Sequence, residues 1–158
     1  MLGIKLIGAG LLFGVAIGNA LHRTRLEKKR LAVLNAWIAL LYRIREQIDC
    51  FCLPLDEILA EADTALLSEQ STKDPPVTLW GLLESSKPYL AVDCQSILAS
   101  CIGELGASYR EEQVKRCDVY LARLEAVREE EKSALPTRIK LTVTLNLCLW
   151  LGASILLW

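Results

Sequence analysis

The residues of this 158-residue chain with the most intrinsic chemistry are its one histidine, His22, and six cysteines, Cys50, Cys52, Cys94, Cys101, Cys117 and Cys148. A zinc or haem centre needs several such ligands at recurring spacings, and a single histidine beside a basic cluster does not supply one. Cys50-x-Cys52 has one intervening residue rather than the two of redox motifs. On a helix, residues two apart point about 200° from each other. The cysteines lie in apolar contexts at irregular spacing and are read as small buried hydrophobes, with no disulfide framework expected. Asp56 with Glu57 and Glu111 with Glu112 could pair for acid–base work, but each pair falls in the first turn of an expected helix, where the helix dipole accounts for carboxylates. Gly3, Gly8 and Gly10 lie in an apolar run without the preceding strand of a phosphate-binding loop. The reading is therefore of a chain that is not an enzyme, with no catalytic, cofactor-binding or metal residues, no cofactor and no small-molecule substrate.

The charges bear on partners. The formal net charge is −1, but residues 31–137 hold ten Lys/Arg against eighteen Asp/Glu, a net of −8. An acidic surface of that size excludes nucleic acid, whose phosphates demand the opposite sign. The basic residues gather elsewhere: Arg23, Arg25, Lys28, Lys29 and Arg30 near the start, Arg138 and Lys140 near the end.

Those two basic clusters adjoin the two apolar segments, Leu2–Leu21 and Leu141–Trp158. Each approaches the ~20 residues needed to cross a bilayer, so both are expected to be transmembrane helices. The divisions expected are an N-terminal membrane helix over 1–21, a cytoplasmic helical domain over 22–140 and a C-terminal membrane helix over 141–158. Basic residues on the inner flanks place the middle of the chain in the cytoplasm and both termini outside a cell membrane, and favour a retained anchor over a cleaved signal peptide. Gly10, Gly14 and Gly18, four apart, line one helix face that would let another helix approach closely; Asn146 would need a polar partner between helices.

Between the apolar ends every element reads as helix. From Glu27 to Asp49 there is neither glycine nor proline, and Leu31, Leu34, Ile38, Leu41 and Ile48 recur at helical steps, with Trp37, Leu40 and Ile44 widening the stripe. Pro54 opens a short helix through about Leu67 with Leu55, Ile58, Leu59, Ala62 and Leu66 inward. Residues 68–76 are a polar loop, and Val77–Ser85 has room for a short helix that Pro88 stops. A helix over Val92–Leu105 offers Ile97, Leu98, Cys101, Ile102 and Leu105 to the core and ends at Gly106. Ser108 and Glu111 have capping-box spacing for a last helix, Tyr109–Leu135, with Val114, Cys117, Leu121, Leu124 and Arg128 on one face, Glu129, Glu130 and Glu131 solvated, and a bend at Pro136. The fold class expected is all-α, a small helical bundle flanked by transmembrane helices.

Taken in order, these features resemble the stage III sporulation protein AB family over nearly the whole chain. The residues that carry the resemblance are Ile48 followed by Pro54-Leu55-Asp56-Glu57, then Leu105-Gly106, Gln113 within YREEQVKRC, and Leu121-x-x-Leu124-Glu125 before the final apolar run. The chain departs from the family pattern at Cys50, where an aromatic is usual, and at Leu53, where threonine usually precedes the proline. The resemblance implies a scaffold or platform subunit of a multiprotein sporulation complex in the mother-cell membrane, with other membrane subunits, an assembly ATPase and the bilayer as partners. Its helical domain is similar to cytoplasmic domains of the type II secretion platform protein. The turn Pro54, Leu55, Asp56 and Glu57 and the acidic face Glu129, Glu130 and Glu131 are then the first candidates for partner contact. A pore-lining subunit of an oligomeric channel, or an enzyme subunit completed by a partner, stands as the alternative.

Overall fold

The computed structural model describes residues 2–51, 55–60, 67, 78–106 and 109–156, with side chains given outside 2–13, 16–17, 51, 56, 60 and 153–156. The described elements are helical: α1 (Leu2–Phe51), α2 (Leu55–Ala60), α3 (Leu79–Ser86), a 3-10 turn (Lys87–Tyr89), α4 (Val92–Glu104) and α5 (Arg110–Leu156). The chain divides into two compact units: a central unit over 29–131, and a terminal unit made of 1–28 and 132–158.

In the central unit the apolar periodicity of α1 becomes a buried face. Val33, Leu34, Trp37, Ile38, Leu40, Leu41 and Ile44 are buried, while Leu31 and Ile48 at the ends of the stripe are half-buried. Against them pack Ile58 and Leu59 of α2, Leu79, Leu82 and Leu83 of α3, Cys94, Leu98, Cys101 and Ile102 of α4, and Tyr120, Leu121 and Leu124 of α5. Local chemistry sets the boundaries. The Thr78 hydroxyl caps α3 by accepting from the Gly81 amide at 3.2 Å. Pro88 sits in the 3-10 turn that ends α3, as expected of a residue that cannot donate to a continuing helix. No side chain caps α4 at Ala91; instead Gln95 Nε2 donates back to the carbonyls of Lys87 and Leu90, at 3.0 and 2.9 Å, and braces the turn against the helix. Gly106 follows α4 with φ of +87°, a left-handed conformation that glycine takes without the Cβ penalty, so the sequence-predicted stop is where the chain turns.

Two expectations are corrected. Among the described residues no helix is long and apolar enough to cross a membrane. In the C-terminal apolar segment Thr142, Thr144 and Asn146 interrupt the apolar run and lower its hydropathy. Residues 2–13 of the N-terminal segment lie outside the described side chains. The flanking transmembrane helices of the expected fold class are therefore not supported. With them fall the membrane-anchored scaffold, the pore-lining alternative, the bilayer and membrane subunits as partners, and the cell-membrane placement with cytoplasmic middle and external termini. What stands is the all-helical bundle.

The second correction concerns Pro136, expected to end one helix and start another. It lies inside α5, which continues from Arg110 to Leu156. A proline removes one backbone donor and crowds the preceding turn, but helix on both sides carries the chain through it. The Ser108 capping box lies outside the described residues, as does the expected stretch of α2 beyond Ala60 apart from Leu67, which is buried.

Candidate interaction surface

Polar groups in the central unit are engaged in holding α1 to α5. Tyr42 donates to Glu125 at 2.9 Å, Arg45 Nε donates to Asp118 at 2.7 Å, and Arg110 donates to Asp49 at 3.2 Å. As residue numbers rise along α1 the partners fall along α5, so the two helices run antiparallel here. Asp118 holds the Arg45 guanidinium above its ordinary value, and the bond to Glu125 raises the Tyr42 phenol. Arg116 bridges Glu112 at 2.7 Å and Glu104 at 3.1 Å, tying α5 to the end of α4. This is a structural seam at the protein surface. Substituting Arg45→Glu places like charges beside Asp49 and Asp118, and is expected to lower the thermal midpoint most at low salt, with the deficit shrinking as salt screens the repulsion; thermal melts across a salt series would check it.

The chemistry-bearing residues do not assemble. His22 is exposed, and among the described residues no three of His, Cys, Asp and Glu come together to hold a metal ion. Cys94, Cys101 and Cys117 are buried, as small hydrophobes, whereas Cys50 and Cys148 are exposed; all five are free thiols, and Cys52 lies outside the described residues. Burial pushes the Cys94 and Cys117 thiols up and, with Cys117 and Glu104 near it, pushes Cys101 up to about 12. A thiol so placed stays protonated and makes a poor nucleophile or ligand.

The residues singled out for partner contact scatter. Pro54 and the side chain of Asp56 lie outside what is described; Leu55 is half-buried against the core and Glu57 is exposed. Glu129 and Glu130 are exposed, Glu131 half-buried, and Glu129 pairs with Arg128 at 3.1 Å. Gly10 lies outside the described side chains. Gly14 and Gly18 are exposed, and a Cβ placed on either would meet nothing within 4 Å among the described residues.

Asn146 leads to the surface that the sequence reading missed. In the terminal unit each helix half-buries one stripe: Ala20, Thr24 and Glu27 on α1, and Leu135, Ile139, Thr142, Asn146 and Trp150 on α5. The Thr24 hydroxyl is satisfied by the Ala20 carbonyl at 2.9 Å. Both stripes include polar side chains, and apart from Trp150 the apolar side chains from Leu141 to Leu151 lie outside them. Leu141, Leu145 and Leu149, a turn apart, are 61%, 62% and 67% exposed, and Val143, Leu147 and Leu151 are exposed on the other flank. Val15 and Leu21 of α1 are exposed as well. Exposed apolar side chains in a strip of this length mark a surface that something covers. The signal was in the sequence: apolar residues at every odd position from 141 to 151 cannot all fall on one helical face.

No family model matches this chain, and no curated protein and no solved structure matches it.

Proposed function

We propose that this chain is a protein-assembly module, acting through surface contact rather than catalysis. The observation that carries the reading is the leucine-rich exterior of the terminal unit. Fully burying a leucine or valine is worth about 1.5–3 kcal/mol, and these side chains are roughly half exposed, so covering the three of one flank recovers about 2–5 kcal/mol. That reaches the low end of the ~4–15 kcal/mol that association costs in lost rigid-body freedom, so the surface suits a specific partner that adds some polar or charged contacts. The resemblance to the stage III sporulation protein AB family is part of the same proposal, since it too points to a helical domain whose work is holding other proteins.

A photo-crosslinking residue at Leu145 or Leu149, in the full chain within its own cells, tests the reading, with Ser100 on the exposed side of α4 as control. A protein adduct of defined mass from the α5 positions and none from Ser100 is expected. Absence of any protein adduct from α5 would overturn the proposal.

A further inference from the structure

The charges of the two units are opposite and nearly equal. Residues 1–28 and 132–158 carry seven Lys/Arg against one Asp/Glu, a net of +6; residues 29–131 carry eleven against eighteen, a net of −7. The apolar surface of the terminal unit is thus set in a basic field, with Lys140 exposed at its start on α5 and Arg23 and Arg25 exposed on α1. A partner that covers it must bring apolar area within an acidic surface. A copy of the terminal unit brings the wrong sign, so two such surfaces meeting face to face would pack like charges together.

The central unit has the right sign and its own exposed apolar anchor. On α3, Leu79, Leu82 and Leu83 are buried while Trp80 stands 55% exposed. One turn on, the Glu84 carboxylate is exposed and pairs with the local Lys87. A half-exposed tryptophan beside an acidic group is the kind of residue that dominates binding energy at interfaces.

Resting on the assembly reading above, we propose that the chain associates with itself head to tail, the basic leucine-rich terminal unit of one copy seating on the acidic central unit of the next, with Trp80 as the anchor. The contact is heterologous: the two surfaces differ, and either surface can be disabled while the other stays intact.

Sedimentation of the purified full chain over a concentration series tests this. The wild-type chain self-associates, and its apparent dissociation constant weakens at least ~tenfold between about 0.05 M and about 0.5 M salt, as screening of the opposed charges predicts. Leu145→Asp/Leu149→Asp disables one surface and Trp80→Ala/Glu84→Lys the other. All four positions are exposed, and circular dichroism with thermal melts establishes that both variants fold. Each variant alone sediments as a monomer, and an equimolar mixture forms a one-to-one complex, because each supplies the surface the other lacks. A wild-type chain that stays monomeric, a Trp80→Ala/Glu84→Lys variant that associates as well as wild type, or a mixture that fails to pair would overturn the proposal. Crosslinks from Leu145 to a different protein, with no self-association, would sink the head-to-tail contact and leave the assembly reading standing; no protein adduct would end both.

Discussion

Replacing Trp37 with alanine is expected to lower the unfolding free energy by about 3–5 kcal/mol, the range for removing a large buried aromatic. Against the ~5–15 kcal/mol that holds a typical domain folded, this is a large share of the stability of the central unit. Trp37 is fully buried on α1, and its indole Nε1 donates to Ser86 Oγ of α3 at 2.9 Å. Ser86 is the only buried polar residue among those described, and its hydroxyl in turn donates to the Leu83 carbonyl at 3.1 Å. The chain indole to hydroxyl to carbonyl leaves none of these atoms unsatisfied, and it ties α3 to α1 in a core that is otherwise apolar. Ser86→Ala should cost about 1–3 kcal/mol by leaving the indole N–H buried without an acceptor. Trp37→Phe removes that donor, so Trp37→Phe combined with Ser86→Ala should cost less than the two separate losses added together. Urea titrations of the three variants at matched slopes would check it; strict additivity would show that the bond contributes nothing beyond the packing of its two residues.

That pairing illustrates what could be seen in advance and what could not. Helical periodicity marks Trp37, Leu40 and Ile44 as inward on α1, and Leu98, Cys101 and Ile102 as inward on α4, because burial of a stripe repeats locally every three or four residues. The same periodicity contained Tyr120, three after Cys117, yet its hydroxyl hid it, whereas Cys94, four before Leu98, was legible as a small buried hydrophobe. That Trp37 would meet Ser86 depends on how α3 crosses α1, forty-nine residues away in the chain, and no local pattern encodes it. The seam from Tyr42, Arg45 and Asp49 to Glu125, Asp118 and Arg110 is equally non-local. The apolar ends show the opposite failure. Hydropathy averages over a window, so Leu141, Val143, Leu145, Leu147, Leu149 and Leu151 read as one span, although Thr142 and Asn146 lie on the stripe that α5 half-buries and the leucines lie outside it. Gly106, by contrast, was legible because a left-handed residue after a helix has one cheap solution.

The second large effect should appear in alkali. Cys101 is buried, and its thiol is pushed up to about 12 from an ordinary 9.0, first by loss of solvent and then by Cys117 and Glu104. Below pH 9 both folded and unfolded chains keep the proton, so the stabilisation is constant. Between 9 and about 12 the unfolded chain loses its proton while the folded chain retains it, so the unfolded state binds fewer protons and stability falls as pH rises. For one thiol the slope approaches about 1.4 kcal/mol per pH unit. Cys94 and Cys117 are raised by burial as well and pull in the same direction. Urea midpoints measured from neutral pH into that window should be level up to pH 9 and then decline. Cys101→Ala should start lower at neutral pH, from the cavity it leaves, and then decline less steeply because one titrating group is gone. Thiol labelling gives the companion reading: the exposed Cys50 and Cys148 react in the native state, whereas Cys94, Cys101 and Cys117 react at the rate of unfolding. Equal alkaline slopes with and without Cys101 would show that its proton is not what alkali removes on unfolding.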